Sequence, residues 1–248
     1  MKKVFITGGR SGIIKSVIDK IKNDYNIYLS VHTLAEFREV RRIYGNYSNI
    51  RCFKLDLTSD YDLKSVSDLN IDILICNGAV MESGTLFDMP FDKIKYNFDV
   101  NYFGNLRLIR CFIKNNNKLK IIIMSSLGSK IPMPFCGAYS SSKAALSQMV
   151  KAFRYECMIL KKNIKVVLIE PGLYKTGFNE NGFNKKYDYF DYNDNVRMFD
   201  NFILKFQKKN LSSISNKIVK AIETENSKNT YRSPFLQALF VKIYNLFS

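Results

Sequence analysis

Tyr139-Ser140-Ser141-Ser142-Lys143 carries a phenol and a primary amine four residues apart. On a helix that spacing puts both on one face, so the two can point into one pocket. A tyrosine ordinarily titrates near about 10, too high for ready proton exchange at neutral pH, and bringing it to neutrality takes about 4 kcal/mol. A cation about 4 Å away supplies about that much at an effective dielectric of about 20. The pair is therefore competent to act as a general acid and base. With 15 tyrosines in a lysine-rich chain, the pattern alone carries little, and the residues around it decide its meaning.

Three neighbours in the chain share its setting. Ser125-Ser126 follows the apolar run Lys120–Met124, at the carboxyl end of a buried strand, where ligands sit in an open parallel sheet. The Ser126 hydroxyl is placed to orient a substrate carbonyl; the alternative is a serine pair that only caps a strand end. Asn77-Gly78 closes the run Ile71–Ile75 at the same rim, and Asn101 lies in the helical segment after it. At the start of the chain, Val4–Thr7 runs into Gly8-Gly9-Arg10-Ser11-Gly12-Ile13-Ile14. Glycines between a strand and a helix let the backbone approach a pyrophosphate, which the N–H groups of the helix start then hold. Thr7, Gly8, Arg10, Ser11, Gly12 and Ile13 are the candidate contacts there.

These residues need a sheet that brings strand ends to one edge. Short β-like runs alternate with helical patterns along the chain: Val4–Thr7, Ile27–Val31, Ile50–Leu55, Ile71–Ile75, Lys120–Met124 and Ile164–Ile169 read as strands. Phe98–Lys114 and Ala138–Leu160 read as the longest helices. Alternation of this kind gives parallel strands with crossover helices. The reading is one α/β domain over residues 1–248, a doubly wound parallel sheet of the Rossmann type, with neither internal repeat nor linker.

Bulk properties narrow the classes. Apolar residues at 46% and charged residues at 24% are those of a soluble globular chain, and the apolar runs fall far short of the ~20 residues of a membrane span. Five scattered cysteines without Cys-x-x-Cys pairing point to free thiols in a reducing, cytoplasmic setting, and a single histidine, His32, argues against a metal site. The net charge of +16 is spread along the chain instead of forming one stripe, which favours a compositional bias over a nucleic-acid partner.

In this fold the residue ending the second strand meets the adenosine ribose. Val31-His32-Thr33 holds no acid, and His32 and Arg10 could both face a 2′-phosphate, so NADP(H) is favoured over NAD(H).

The ordered set resembles the classical branch of the short-chain dehydrogenase/reductase family over nearly the whole chain. Thr7, Gly8 and Gly12 match its glycine turn, Asp56 with Leu57 its adenine contact, and Cys76-Asn77-Gly78-Ala79 its Asn-Asn-Ala-Gly element. Asn101, Ser126, Tyr139 and Lys143 fall on its catalytic tetrad. Pro171-Gly172-Leu173-Tyr174-Lys175-Thr176 matches its Pro-Gly-x-x-x-Thr, with Pro171, Gly172 and Thr176 at the nicotinamide carboxamide. Two departures stand out: Ile14 replaces the third glycine, and Cys76 replaces an asparagine. The resemblance implies a carbonyl reductase or alcohol dehydrogenase in which hydride passes between a nicotinamide and a carbonyl carbon. Tyr139 moves the proton, Lys143 lowers the phenol's pKa and bonds the nicotinamide ribose, Ser126 fixes the carbonyl, and Asn101 holds a water. It also implies a small-molecule carbonyl or alcohol substrate and a homodimer or homotetramer built on the two long helices. A non-catalytic dinucleotide-binding scaffold and a nucleotide-sugar epimerase or dehydratase are the alternatives.

Aromatics crowd the segment around 177–210, including Phe183, Tyr187, Tyr189, Phe190, Tyr192, Phe199 and Phe202, where the family carries its substrate lid. They serve either a large apolar substrate or the packing of the lid itself. Within the amphipathic helix expected around 234–247, Phe235, Leu236, Leu239, Phe240, Ile243, Tyr244 and Phe247 recur at helical spacing. Packing against the body or another subunit is the favoured reading of that stripe, and contact with a membrane surface is the other.

Overall fold

Alternate residues of each apolar run point to opposite faces of a strand, so a continuous run requires cover on both sides. The computed structural model describes residues 1–183 and 188–247 and shows that arrangement; Tyr187 lies outside the described residues. Strands β1 (Lys2–Ile6), β2 (Tyr25–Val31), β3 (Ile50–Lys54), β4 (Ile73–Cys76), β5 (Leu119–Met124), β6 (Ile164–Pro171) and β7 (Thr230–Ser233) form one sheet in the order β3-β2-β1-β4-β5-β6-β7. All six neighbouring pairs are parallel. The strand order reverses between β1 and β4, and a crevice at their carboxyl ends follows from that reversal.

The helices are α1 (Gly12–Ile21), α2 (Leu34–Tyr44), α3 (Asp60–Val66), α4 (Phe91–Phe98), α5 (Asn105–Asn115), α6 (Gly137–Ile159), α7 (Phe178–Phe183), α8 (Asp194–Leu204), α9 (Ser212–Glu223) and α10 (Phe235–Phe247). On one face, Val4 and Ile6 meet Ile14, Val17 and Ile18 of α1 and Ile214 and Ile218 of α9. On the other, Phe5 and Leu74 meet Leu108 and Phe112 of α5 and Leu146 and Val150 of α6.

Three features differ from the sequence expectation. The segment expected as one helix over Phe98–Lys114 is broken by a π-helical turn, Asp99–Gly104, between α4 and α5. Gly104 lies so close to Leu57 that a Cβ there would stand 2.7 Å from the Leu57 Cβ. Asn105 Nδ2 donates to the carbonyls of Val100 (3.3 Å) and Asn101 (3.0 Å), satisfying backbone groups that a wide turn frees. Strand β7 is short, at the edge, and reads Thr-Tyr-Arg-Ser, too polar to stand out. Lastly, the stripe on α10 does not pack on the body: all seven of its residues are exposed, and only Val241 of that helix is buried.

Ile14 is fully buried among core residues of α1 and the sheet, so the departure from a third glycine serves the core. Ile14→Gly should lower unfolding free energy by roughly 3–6 kcal/mol, the cost of a core cavity plus a mid-helix glycine. Urea denaturation checks this, and an unchanged midpoint would contradict it.

Candidate active site

At the reversal point two strands are tied by one hydroxyl. Thr7 Oγ1 accepts from the backbone N–H groups of Asn77 (2.9 Å) and Gly78 (2.8 Å). Asn77 Nδ2 answers by donating to the carbonyls of Thr7 and Gly8, each at 3.2 Å. Gly8 has φ +69°, and a Cβ there would sit 2.6 Å from Asn77 Nδ2, so both conformation and space require glycine. The neighbouring Gly9 donates its N–H to Ser30 O at 2.9 Å. The turn is thus clamped between β2 and β4. Helix α1 begins beside it with no side-chain cap, and Ser11 and Ile13 face the cavity described below. A glycine-enforced turn, an open hydroxyl and a helix N-terminus fit a dinucleotide's pyrophosphate. Gly12 instead packs against Thr176, where a Cβ would make an ordinary 3.5 Å contact.

Further along the rim, His32 Nε2 stands 3.4 Å from Asp56 Oδ2. Burial raises the Asp56 carboxyl, but bonds from Thr58 N (2.9 Å) and Oγ1 (2.7 Å), together with His32, bring it below its ordinary value. Arg10 is held by Glu39 at 3.0 Å and Glu36 at 3.5 Å. Glu36 also closes a capping box, its carboxylate accepting from His32 N and Thr33 N at 3.1 Å while Thr33 Oγ1 accepts from Glu36 N. The end of β2 carries no acid, yet the fold brings two from α2 to the same rim. Thr33-x-x-Glu36 is a capping-box pattern and was the signal for one of them.

The chemistry sits across the crevice. Strand β5 ends at Ser125-Ser126, and the two serines divide their work. Ser125 Oγ donates to Lys143 O (3.0 Å) and meets Ser147 Oγ (2.7 Å), pinning α6 to β5. Ser126 faces the cavity alongside Tyr139. Burial pushes the Tyr139 phenol above its ordinary value; the Ser126 hydroxyl opposes this and nearby Cys136 adds to it. Lys143 is buried, its Nζ donating to Met124 O at 3.0 Å and standing 5.9 Å from the centre of the Tyr139 ring. Burial lowers its ammonium to about 8, with a smaller opposing effect from Cys76. The sequence expectation was a phenol made acidic by this ammonium. In the structure, desolvation governs the phenol, and the amine is turned to a carbonyl.

Asn101 lies in the π-helical turn and is completely buried. Its Nδ2 donates to Val80 O (2.9 Å) and Ser142 Oγ (3.0 Å), and its Oδ1 accepts from Val80 N (2.9 Å). Both amide protons are used, so the side chain braces the site. Ser142 Oγ donates in turn to Tyr139 O at 2.7 Å, which carries the brace to the helix turn that presents the phenol.

A single cavity of about 1170 Å³ is lined by every candidate site residue except Gly12 and Asn101. It runs from the glycine turn past Asp56, Leu57, Asn77 and Gly78 to Ser126, Tyr139, Lys143 and the loop Pro171–Thr176. The aromatics of the segment around 177–210 divide between both sequence readings. Phe183, Phe199 and Phe202 line the cavity, whereas Phe190 packs on Phe135 (5.4 Å) and Tyr189 Oη donates to Ser83 O (3.2 Å). Sequence reasoning missed Gln237, whose Oε1 accepts from Leu173 N at 2.7 Å and so holds the Pro171–Thr176 loop. Its signal was a lone amide in the apolar run Phe235–Leu239.

A family model described as short chain dehydrogenase matches residues 2–186. A probable short-chain type dehydrogenase/reductase of Helicobacter pylori, VdlC, is 32% identical over 191 residues, 72% of this chain and 67% of that protein. The NADPH-dependent 3-dehydrocapnine reductase of Ornithobacterium rhinotracheale is 26% identical across 93% of this chain and 87% of its own. Among solved structures, a short chain dehydrogenase/reductase from Burkholderia phymatum in complex with NAD superposes with a TM-score of 0.83 at 15% identity, covering 99% of this chain and 93% of the other. One from Burkholderia cenocepacia in complex with NADP gives 0.73 at 17% identity, covering 97% and 91%.

The buried ammonium of Lys143 has a thermodynamic consequence. Its folded value lies below its unfolded value, so the unfolded chain holds this proton more tightly and the penalty is full below about pH 8. Between that pH and the unfolded value, stability gained from losing the penalty rises with pH. Lys143→Met should therefore stabilise the fold at pH 7 by about 1–2 kcal/mol, net of the lost bond to Met124 O, with the gain fading toward pH 10. Thermal unfolding of both proteins at the two pH values checks the sign.

Proposed function

The chain belongs to the short-chain dehydrogenase family, and we propose that it interconverts a ketone and a secondary alcohol with Tyr139 as the proton donor and acceptor. The observation that carries this reading is that the Tyr139 and Ser126 side chains line one wall of the cavity that the glycine turn opens. A nicotinamide dinucleotide, when bound, supplies or accepts the hydride at the carbonyl carbon. The chain's own residues do the rest. Ser126 orients the carbonyl oxygen, and Tyr139 gives it a proton as the alcohol forms. In the reverse direction Tyr139 takes that proton back. Lys143, protonated at neutral pH, places positive charge beside the phenol and favours its ionised form when the proton leaves. Asn101, through Ser142, keeps Tyr139 facing Ser126.

NADP(H) is the proposed cofactor. Arg10 and His32 at the rim support it, as does the name of the Ornithobacterium relative. Glu36 and Glu39 weigh the other way, because a 2′-phosphate must compete with them for Arg10. Phe183, Phe199, Phe202, Ile203 and Phe206 around the cavity suit a large apolar substrate. Exposed Tyr155, Met158 and Ile159 on α6 support self-association through the long helices.

Tyr139→Phe should cut kcat by about 10²–10⁴ with a ketone panel while leaving dinucleotide affinity near normal. Near-normal turnover in that variant would remove Tyr139 from the proton step. In a fluorescence titration, NADPH should bind tighter than NADH, and Glu39→Gln should widen the ratio by about three- to tenfold by removing one like charge from the phosphate's surroundings. Tighter NADH binding in the unaltered protein would overturn the preference.

A further inference from the structure

Helix α10 leaves its apolar stripe in solvent: Leu236 is 76% exposed, Phe240 61% and Phe247 87%. The helix carries no acid, and its one charge is Lys242. The same face extends onto the end of α8, where Phe202 and Phe206 pack edge to face at 5.1 Å and are both more than half exposed. Gln237 Nε2 donates to Phe206 O at 2.9 Å, fastening the two elements into one patch. Isolated apolar side chains on a surface are ordinary, but a contiguous patch of this extent marks an interaction site.

Its surroundings are basic. From residue 201 onward the chain holds Lys205, Lys208, Lys209, Lys217, Lys220, Lys228, Arg232 and Lys242 against only Glu223 and Glu225. Folding gathers part of this charge: besides its own burial, Lys217 is pushed below its ordinary value by the charges of Lys228 and Lys208. Lys205, Lys208 and Lys209 flank Phe206 in the chain, whose carbonyl is bonded to α10 through Gln237, and Lys242 lies on α10 itself, so positive charge borders the apolar face. Two copies meeting through this face would bring like fields together. An anionic lipid surface complements both features at once, taking the apolar side chains at the headgroup boundary and the lysines among the phosphates. Thirteen residues of helix reach about 20 Å, too short to cross a bilayer core of about 30 Å, and no described helix is long and apolar enough to do so.

We propose that α10 and the end of α8 dock this protein on an anionic lipid surface, with the mouth of the cavity turned toward it. Leu236, Phe240 and Val241 belong both to α10 and to the cavity lining, as do Phe202 and Phe206 of the adjoining patch, so the docked face and the cavity entrance are continuous.

Flotation of the full chain with vesicles tests this without reference to turnover, so its outcome is independent of the oxidoreductase reading. The protein should float with phosphatidylcholine–phosphatidylglycerol vesicles about tenfold more than with phosphatidylcholine alone, and high salt should release most of it. Ile243→Ser/Leu246→Ser/Phe247→Ser alters exposed apolar residues of α10 that do not line the cavity and should reduce flotation about tenfold or more. Lys205→Glu/Lys209→Glu should do the same by reversing local charge. Far-ultraviolet circular dichroism confirms that each variant is folded. Equal flotation on the two vesicle types, or variants that float like the unaltered protein, would overturn the proposal. A triple variant whose subunit number falls in sedimentation velocity would also overturn it, by showing that the stripe closes on a second copy.

Discussion

The site depends on the bond pair at Thr7. A doubly wound sheet splits where its strand order reverses, and the crevice that results is useful only if its two lips keep a fixed separation. Here the lips are the carboxyl ends of β1 and β4, and Thr7 Oγ1 joins them by accepting two backbone N–H groups. Asn77 returns the tie from the other side. Four hydrogen bonds among four residues thus hold the glycine turn in a left-handed conformation that only Gly8 tolerates cheaply. Much of the cavity lies along the groove this tie keeps open.

Across that groove the governing effect is desolvation. Tyr139 and Lys143 are both buried, and burial moves their values apart: the phenol rises and the ammonium falls. Burial disfavours the charged form of each group, although Lys143, at about 8, still carries its proton at neutral pH, and added positive charge in the cavity has a large effect on the phenol because little solvent screens it. A charge-assisted pair on the surface would be weaker and more easily screened. The framework of Ser125, Ser142 and Asn101 keeps the arrangement rigid enough for such electrostatics to be specific.

Residue types and spacing made much of this legible. Six of the seven strands announced themselves as apolar runs, and the Tyr139–Lys143 spacing, Ser126 and the glycine turn all fall on one cavity. What escaped depends on tertiary geometry. The π-helical turn at Asp99–Gly104 exists because Asn101 reaches Val80 and Ser142 while Gly104 sits against Leu57, none of which a periodicity reports. Whether an ammonium acidifies a phenol depends on where it points, and helical spacing fixes only the face. The two glutamates at Arg10 come from the start of a helix so polar that only Val40 and Tyr44 are buried, which weakens its periodic signature.

Gln237 shows how far the active site extends into the outer layer. A Cβ on Gly172 would collide with Gln237 Oε1, so Gly172 is where α10 comes down onto the loop after β6. The same side chain bonds Leu173 N and Phe206 O, and Gly172 N donates to Ser233 O at the root of α10. One amide therefore links the Pro171–Thr176 loop, the end of α8 and the surface helix. A helix that offers its apolar stripe outward gains little from body packing, and Val241 alone is buried. The Gln237 bonds to Leu173 N and Phe206 O tie it instead to two segments of the cavity wall.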